Sequence, residues 1–477
     1  MRKTIFITIT RSFITRNILR CGVLDLLKKK GYSVFVFFPA KKIPAYLKDE
    51  FEDDQVTLVP VQVASTRLHR IFTKFSFRYL LLSKSAKHSA FDFNENAKTR
   101  FASKKFLKQT KIIPWLRYLY LILMSKSTTI KHLYRFIEQK FFAQKHPQIQ
   151  FYFDTYKPNI ALSTSFVSYL DTSFIKEAKR RRIPVVSMPK SWDNITVGYM
   201  QFLPDYFIVP NKPSRDAGVY LQNIPARRVR IVGIPQFDWY VREDIIKSRE
   251  EHFKKKGLDP ALPLIFFGSE GVWATRDHEV AEMIYGWMTN NELTKPCQLV
   301  VRAHYTNAYM DIFKKLRNKK GVAVDDYRIV DFMPDRWDPD KEEIIDFVNT
   351  LYHCDIMINA ASTLTLDAAC FDKPIINIGF GCVYEDGDRN GKDITSTMYD
   401  SDHFTWVLET EATTKVDTPA ALKEAIDGYL HNPTHKAQER ALLREKLCYK
   451  VDGKSSRRMV DYLDEILEDG SRKRLPA

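Results

Sequence analysis

Apolar residues recur along the first half of the chain in two alternating patterns, short runs of strand length and longer stretches with helical spacing. TIFITIT places Ile5, Ile7 and Ile9 on one face of a first strand, and YSVFVFF over 32–38 predicts the next. The spacing of apolar residues over 15–30 predicts one helix between them. NIALST, PVVSM, DYFIVP and VRIVGIP predict further strands, separated by helices over 172–182 and 214–223. Strands that alternate with helices predict a parallel sheet with helices on both faces.

A second series of the same kind follows a polar stretch. LPLIFFG, QLVVRAHY, DIMIN and PIINI have the length and composition of buried strands, and helical spacing extends over 277–288, 309–319 and 342–353. We therefore predict an α/β protein with two Rossmann-like domains, residues 1–240 and 263–434. A linker over 241–262 joins them, and helices over 435–477 follow. A chain of 477 residues is too long for one core, which agrees with this division.

The segment 355–381, DIMINAASTLTLDAACFDKPIINIGFG, carries the strongest functional pattern. It predicts a strand, a tight turn, a short helix and a second strand. Ser362 or Thr363 can cap the helix, whose first N–H groups then point outward from the carboxyl end of a parallel strand. Asp367 lies one turn along, where a carboxylate can accept hydrogen bonds from two vicinal hydroxyls. Phosphates at the helix end and a ribose at Asp367 together describe a nucleotide pocket; the alternative is an ordinary βαβ unit with Ser362 as a plain cap.

This segment resembles the donor-binding region of GT-B glycosyltransferases, a class that includes nucleotide-sugar 2-epimerases and CDP-glycerol glycerophosphotransferases. The match consists of the Ser362-Thr363 turn, the acidic Asp367 and the Lys373-Pro374 step into a buried strand. The chain departs from the pattern in having Asp367 where Glu is commoner and Asp372 where Gly is usual. The resemblance implies two domains that face each other across a cleft, with the donor in the second domain and the C-terminal helices crossing back onto the first.

Two strand ends of the second domain supply further candidates for donor binding. Gly268 and Ser269 follow the first strand, where glycine lets the backbone approach a ligand and the serine hydroxyl can donate to a phosphate. An ordinary strand-to-helix turn explains the same residues equally well. Similar enzymes often place an Arg and a His where Arg302 and His304 end another strand. Arg302 can then neutralise a departing diphosphate, and His304 can hydrogen-bond a phosphate or sugar hydroxyl as a candidate catalytic residue.

The loop PKSWDNITVG after a strand of the first domain supplies candidates for the acceptor side. Asp193 can act as general base on an acceptor hydroxyl, Asn194 can hold the acceptor, and Trp192 can stack on a sugar ring. An Asx-type turn with a packed tryptophan is at least as probable. Arg11, which follows the first strand, is a further candidate for acceptor contact.

Positive charge is concentrated in residues 65–150, which hold 18 Lys and Arg against three acids. The same stretch contains IIPWLRYLYLILM over 112–124. Basic residues attract anionic head groups and apolar side chains enter the interface, so we interpret 65–150 as a basic helical insertion that faces a membrane. A buried helix of the first domain ranks close behind this interpretation, and nucleic-acid binding ranks far behind because no such motif is visible.

The cysteine pattern, the apolar stretches and one loop motif limit the cellular compartment and the cofactors that we expect for this protein. The six cysteines form no CxxC pair, and no stretch approaches the length of a spanning helix. We expect a cytoplasmic protein that is peripheral on the inner face of the cell membrane. Residues 386–391, DGDRNG, match the first half of a calcium loop, but Thr397 stands where the loop needs Glu. We therefore expect no metal and no cofactor other than the nucleotide-sugar substrate.

These observations predict a metal-independent GT-B glycosyltransferase. It would move a sugar from a nucleotide-sugar to a hydroxyl of a lipid-linked or envelope-polysaccharide acceptor, which would make it an enzyme of polysaccharide biosynthesis. Within enzymes, the alternatives are CDP-glycerol-type polyol-phosphate transfer and nucleotide-sugar 2-epimerisation. Outside enzymes, the alternative is a basic membrane or nucleic-acid binding protein.

Overall fold

The computed structural model describes residues 2–86, 112–142, 145–305, 310–325, 329–333, 335–384 and 391–472. Contacts along the backbone divide the chain into two units. Unit 1 comprises Met1–Pro235, Phe332–Pro334 and Lys454–Ala477, and unit 2 comprises Gln236–Asp331 and Asp335–Gly453. Each unit is built on its own parallel sheet.

Unit 1 contains a seven-stranded sheet in which every neighbouring pair is parallel. Its strands are β1 (Thr4–Thr8), β2 (Ser33–Phe38), β3 (Val56–Pro60), β4 (Ile160–Ser163), β5 (Val185–Ser187), β6 (Tyr206–Val209) and β7 (Val229–Ile231). The order is β3-β2-β1-β4-β5-β6-β7. The chain therefore winds outward from β1 to β3 and resumes at β4 on the other side of β1, which places a topological switch point between β1 and β4.

Helices cover the sheet of unit 1 outside its insertion, and buried side chains of the strands form the core against them. Their bounds are Ser12–Ile18, Val23–Lys29, Ala45–Phe51, Pro147–Tyr156, Tyr169–Arg180, Lys212–Tyr220 and Ser455–Arg472. The single helix predicted over 15–30 is wrong. The first helix ends at Ile18, and Gly22, with a left-handed φ of +89°, directly precedes a second helix that begins at Val23.

The basic insertion is helical in its described part, as the sequence predicts. Its helices are Arg67–Tyr79, Ile112–Lys126 and Thr128–Phe141. Residues 87–111 and 143–144 lie outside the description, as do the side chains of 112–118 in the apolar stretch. Within the described residues, no helix combines the length and the apolar character needed to cross a membrane.

Unit 2 contains a six-stranded parallel sheet and a short antiparallel hairpin. The strands of the sheet are β8 (Leu264–Gly268), β9 (Gln298–Arg302), β10 (Val322–Asp325), β11 (Ile356–Asn359), β12 (Ile375–Ile378) and β15 (Thr414–Val416), and those of the hairpin are β13 (Val383–Tyr384) and β14 (Lys392–Asp393). The order β10-β9-β8-β11-β12-β15 places the switch point between β8 and β11. Gly268 at the end of β8 pairs with Asn359 at the end of β11, so both strands end at the same level.

The helices of unit 2 correct two expectations. They are Arg249–Lys256, Asp277–Thr289, Lys341–His353, Leu364–Cys370, Thr395–Tyr399, Asp402–Leu408, Pro419–His431 and Ala437–Leu443. Residues 241–262, predicted as a linker, instead form part of unit 2, because Phe253 is buried and Arg249 ion-pairs with Asp355 at 3.0 Å. The helix predicted over 309–319 is reduced in its described part to a 3₁₀ turn over Met310–Phe313.

The C-terminal segment returns to unit 1, but later than residue 435. Residues 435–453 remain in unit 2, and the helix Ser455–Arg472 belongs to unit 1. Its apolar face joins the unit 1 core, and Asp464 accepts hydrogen bonds from Lys30 at 2.6 Å and Tyr32 at 2.5 Å. The acidic face of this helix therefore compensates the basic end of the helix Val23–Lys29.

Candidate functional site

A buried network of amide side chains fixes the turn that follows β11. Asn377, near the end of β12, donates to the side chain of Asn359 at 3.0 Å and to the carbonyl of Ala360 at 3.2 Å. Asn359 donates to the Thr365 hydroxyl at 3.1 Å. All three polar side chains are fully buried. Because buried polar groups are costly to leave unpaired, this network holds the turn in one conformation. The apolar pattern did not predict this network, although an Ile-Asn pair ends β11 and lies one residue before the end of β12.

Ser362 and Thr363 lie at the switch point of the unit 2 sheet. Their carbonyls accept from the amides of Thr365 at 3.2 Å and Leu366 at 2.9 Å, so the chain is already helical at this turn. The predicted cap is weak, because the amide of Leu364 donates to the Ser362 hydroxyl at 3.4 Å and Thr363 makes no capping bond. Thr363 is exposed and Ser362 is half-buried.

Asp367 is buried and already has partners within unit 2. Its Oδ1 accepts hydrogen bonds from the Tyr240 hydroxyl at 2.7 Å and from Gln236 at 3.2 Å, and the side chain is only 3% exposed. These contacts give the acid a structural role. The ribose contact stays a prediction, and it requires that a ligand share or displace these partners.

Asp372, where glycine is usual, has φ +56° directly after the helix Leu364–Cys370. Glycine favours this left-handed conformation, and aspartate is one of the few other residues that tolerate it. The carboxylate Oδ1 accepts from Arg440 at 3.0 Å and from Arg444 at 3.1 Å. Arg440 is 1% exposed. The departure from the family pattern is therefore compensated by two arginines.

Gly268 and Ser269 reach the predicted edge of the sheet but are occupied by protein contacts. A Cβ on Gly268 would lie 2.1 Å from Cδ1 of Leu364, so the glycine makes room for the side chain that begins the helix Leu364–Cys370. The Ser269 hydroxyl donates to Asp277 at 3.2 Å and accepts from the amide of Gly271 at 3.2 Å. Both residues therefore shape the turn, and phosphate contact by Ser269 stays a prediction.

Two buried acids that the sequence analysis did not single out lie beside Ser269. Asp277 also accepts from the amide of Glu270 at 2.7 Å, and the Ser362 hydroxyl hydrogen-bonds the Glu270 carboxyl. Burial raises the pKa of Glu270 to about 8 and that of Asp277 to about 7. A polar residue directly after a buried strand was the available signal, since GSEG follows LIFF.

Arg302 and His304 end β9, the strand beside β8, and the Arg302 carbonyl accepts from the Ser269 amide at 3.0 Å. The guanidinium of Arg302 ion-pairs with Glu343 at 3.1 Å and Asp325 at 3.6 Å, so its charge is already compensated. Burial and the Arg302 charge lower the pKa of His304 to about 4, which makes the imidazole neutral at physiological pH. The neutral ring can accept a proton but supplies none. Diphosphate contact by Arg302 and catalysis by His304 stay predictions.

The four candidates of unit 1 lie after β1 and β5. Arg11 directly precedes the helix Ser12–Ile18, and Asp193 accepts from the side-chain amide of Asn194 at 3.0 Å. Trp192 is 4% exposed, so it packs in unit 1, and stacking on a sugar would require it to move. The sheet order separates β1 from β5 by β4. The roles of these residues toward an acceptor stay predictions.

A third buried acid that the sequence pattern did not reveal, Asp171, marks the switch point of the unit 1 sheet. Asp171 is fully buried and accepts hydrogen bonds from Thr8, from Thr10 at 3.1 Å and from Ser163 at 3.0 Å. Burial raises its pKa to about 7. This acid ties the ends of β1 and β4 to the helix Tyr169–Arg180.

The polar loop considered as a calcium or metal motif contributes little to the described structure. Residues 385–390 lie outside the description. Among the described residues, no group of three or more His, Cys, Asp or Glu side chains is arranged to hold a metal ion.

Comparison with known proteins identifies the fold. Neither a protein-family model nor a curated protein sequence matches the chain. Solved structures do match. S. aureus MnaA, in a co-structure with UDP, has 12% identity and a TM-score of 0.53 over 98% of this chain and 97% of that chain. A putative UDP-N-acetylglucosamine 2-epimerase from Listeria monocytogenes has 10% identity and a TM-score of 0.53 over the same shares.

A variant of the wall teichoic acid polymerase TagF has 9% identity and a TM-score of 0.52, over 99% of this chain and 90% of that chain. Together with the two parallel sheets, these similarities confirm the predicted GT-B fold with two Rossmann-like domains. At such low identity, they establish the fold and leave the reaction to be argued from this chain's own residues.

Proposed function

We propose that this protein is a glycosyltransferase that moves a sugar from a nucleotide-sugar donor to a hydroxyl of a lipid-linked or envelope-polysaccharide acceptor. The observation that carries the proposal is the switch point of the unit 2 sheet, where Ser362 and Thr363 after β11 meet Ser269 and Glu270 after β8. Ligands of open parallel sheets bind outside the carboxyl ends of the strands at such a point. Two matching structures of the same fold are S. aureus MnaA in a co-structure with UDP and a putative UDP-N-acetylglucosamine 2-epimerase, and this supports a nucleotide at that point.

In this proposal, Ser362 and Thr363 hold the phosphates of the donor and Asp367 receives the ribose. Ser269 supports the turn, and Arg302 supplies positive potential near the leaving diphosphate. Asp193 or His304 activates the acceptor hydroxyl, which the residues Arg11, Trp192 and Asn194 help to position. The acceptor oxygen forms a new bond to the anomeric carbon, and its proton passes to Asp193 or His304. The nucleoside diphosphate leaves with the electron pair of the broken sugar–oxygen bond, and its charge is stabilised by backbone N–H groups and hydroxyls.

An unusual helix of the basic insertion supports an acceptor at a membrane. In Thr128–Phe141, the buried face carries Lys131, Arg135 and Glu138. Leu133 and Phe136 on the opposite face are 53% and 54% exposed. A helix of a water-soluble protein normally presents these faces the other way round.

The buried charged side chains of this helix have hydrogen-bond partners inside unit 1. Arg135 donates to the carbonyls of Met200 at 3.2 Å and Gln222 at 2.7 Å, and Glu138 accepts from His69 at 2.8 Å. The helix is thus anchored by its polar face, which leaves the apolar face outward.

Exposed apolar side chains extend beyond this one helix. Of the 17 large apolar residues that are exposed among the described residues, ten lie within 68–156. They include Leu68 and Ile71 on the helix Arg67–Tyr79, whose Arg67, Arg70 and Lys74 are exposed as well. Apolar side chains bordered by cations match the interface of an anionic bilayer. We therefore propose that the protein docks on the inner face of the cell membrane.

The same fold and the same neighbours leave nucleotide-sugar 2-epimerisation and CDP-glycerol-type transfer as rival reactions. An epimerase acts on its nucleotide-sugar alone and has no use for an apolar docking face, which favours a transferase. Product analysis separates the three. Conversion of UDP-N-acetylglucosamine without an acceptor indicates an epimerase, and CMP release from CDP-glycerol indicates polyol-phosphate transfer.

A thermal-shift screen with UDP-, GDP-, CDP- and dTDP-sugars tests the nucleotide site, and two variants make it specific. Asp367→Ala removes the carboxylate, whereas Tyr240→Phe keeps the carboxylate and removes the hydroxyl that bonds Asp367 and Gln236. If Asp367 binds the ribose, the nucleotide-induced shift disappears in Asp367→Ala and persists in Tyr240→Phe. A nucleotide-induced shift that persists in Asp367→Ala as well as in Tyr240→Phe would show that Asp367 is only structural. The absence of any shift with the unmodified protein would contradict the nucleotide site itself.

A further inference from the structure

Glu270 occupies an unusual position at the edge of the unit 2 sheet. It lies two residues beyond the end of β8, the strand on one side of the switch point. Its side chain is 7% exposed, and the Ser362 hydroxyl hydrogen-bonds its carboxyl. Its Oε1 has no hydrogen-bond partner among the described residues. A buried polar atom without a partner costs free energy, and at a functional site a ligand is one explanation.

The neighbouring acid Asp277 has no comparable vacancy. Its Oδ1 accepts from the Ser269 hydroxyl and its Oδ2 from the Glu270 amide. Asp277 thus fixes the backbone that carries Glu270, and of these two acids Glu270 is the one with an unpaired oxygen among the described residues.

Burial favours the neutral form of both acids. It raises the pKa of Glu270 to about 8, with the nearby Asp277 as a further cause. A protonated carboxyl is a hydrogen-bond donor, whereas a carboxylate accepts only and repels an anion. At neutral pH, Glu270 is therefore mostly an O–H donor at the place where the proposed donor substrate carries its diphosphate.

We infer that Glu270 is a donor-binding residue whose protonated carboxyl donates a hydrogen bond to the diphosphate of the nucleotide, so that nucleotide binding is coupled to protonation of this side chain. The inference rests on the proposed nucleotide site. No bond forms or breaks in this step. The proton stays on Glu270 while the nucleotide is bound, and loss of that proton places a negative charge against the diphosphate.

Three other titratable groups lie near Glu270, and only one of them changes its charge between pH 7 and 9. They are Asp277 on the helix Asp277–Thr289, Cys382 after β12, and Tyr399 on the helix Thr395–Tyr399. Burial raises the pKa of Cys382 to about 12 and raises that of Tyr399 as well, so both stay neutral up to pH 9. Asp277 ionises near pH 7, and its negative charge then helps to keep the proton on Glu270.

Titration calorimetry with CDP between pH 7 and 9.5 tests the coupling. Neither the cytosine base nor the phosphates of CDP titrate in this range, since the second ionisation of a phosphate lies at about pH 6. For the unmodified protein, we expect affinity to fall by up to about thirtyfold, because each pH unit above the pKa removes tenfold of the protonated form. Inorganic pyrophosphate, which lacks base and ribose, should also bind at pH 7 if the diphosphate is the group recognised.

Glu270→Gln is the decisive variant because its amide is uncharged at every pH and still donates. We expect it to bind the nucleotide at pH 7 within about threefold of the unmodified protein and to keep that affinity at pH 9.5. Asp277→Asn is the matched control. Removal of its charge should move the midpoint of the profile to lower pH without abolishing the pH dependence. Thermal unfolding of both variants without ligand confirms that they are folded.

The outcomes separate this inference from the proposed function. If a nucleotide binds and Glu270→Gln keeps the full pH dependence, or loses binding at pH 7 although folded, the inference is wrong and the nucleotide site stands. If UDP, CDP and the nucleotide-sugars of the screen all fail to bind at any pH, the proposed function fails and the inference with it.

Discussion

The outward apolar face of the helix Thr128–Phe141 leads to the sharpest test of membrane docking. The double variant Phe136→Ser/Phe141→Ser removes two aromatic side chains that are 54% and 70% exposed. Phenylalanine has about 150–250 Å² of surface to bury, so each ring has about 100 Å² free. At about 25 cal/mol per Å², full insertion of one ring is worth about 2.5 kcal/mol.

Partial insertion at the membrane interface lowers the free energy gained per ring. We take about 3 kcal/mol of binding free energy for both phenylalanine rings together. A change of 1.4 kcal/mol is tenfold in an equilibrium constant, so the double variant should bind vesicles about 100-fold more weakly. Co-sedimentation with vesicles of phosphatidylcholine and phosphatidylglycerol, compared with phosphatidylcholine alone, measures the loss. Stability should change little, because the removed side chains are exposed in the free protein.

A pair of leucines, one on each unit, provides a matched control for the effect of removing an exposed apolar side chain. Leu133 and Leu442 are 53% and 48% exposed, but only Leu133 lies on the proposed docking face. Leu133→Ser should weaken vesicle binding by about fivefold, while Leu442→Ser should leave it unchanged. Equal effects of the two variants, or full binding by the double phenylalanine variant, would refute the reasoning.

Three further predictions concern stability and are checked by chemical denaturation. Asp372→Ala should lower the free energy of unfolding by about 3 kcal/mol, because it leaves the buried Arg440 charge without its carboxylate partner and keeps a side chain at a left-handed position. Asp372→Gly should lower it by about 1 kcal/mol less, because glycine favours that backbone conformation. A gain in stability in either variant would contradict this reasoning. Gly268→Ala should cost about 1–2 kcal/mol, and adding Leu364→Ala should relieve the clash. Asp171, with its pKa raised from 3.8 to about 7, favours the folded state at low pH and loses that contribution as pH rises to 7. Asp171→Asn should therefore reduce the fall in stability between pH 5 and 8 by on the order of 3 kcal/mol; an unchanged fall would refute the assignment.

The fold was largely accessible from the sequence because the buried strands of both sheets are continuous apolar runs. TIFIT, LIFFG and IINI bury all or nearly all of their residues, as strands covered on both faces do. Errors arose where one backbone residue decides the outcome. Gly22 lies in the break between two helices where the spacing predicts one, and no periodicity reveals its positive φ.

The candidate site was accessible only in part. The Ser362 turn and Asp367 lie within one continuous segment whose spacing is visible along the chain. Glu270, Asp277 and Asp171 are different, because their importance depends on being buried beside residues far away in sequence. The hydrogen bond between Asp367 and Tyr240 could not be predicted either, since Tyr240 lies 127 residues before Asp367.

The sequence by itself determined the alternation of strands and helices, the two-domain α/β class and the basic character of residues 65–150, because these follow from local spacing and composition. Only the tertiary structure decided which side chains are removed from water. Burial changed Glu270 from an ordinary acid into a proton-bearing group, and anchoring of Arg135 and Glu138 turned the apolar face of their helix outward. Desolvation and charge pairing depend on neighbours that are distant in sequence and that only folding brings together. The linear sequence therefore does not predict them.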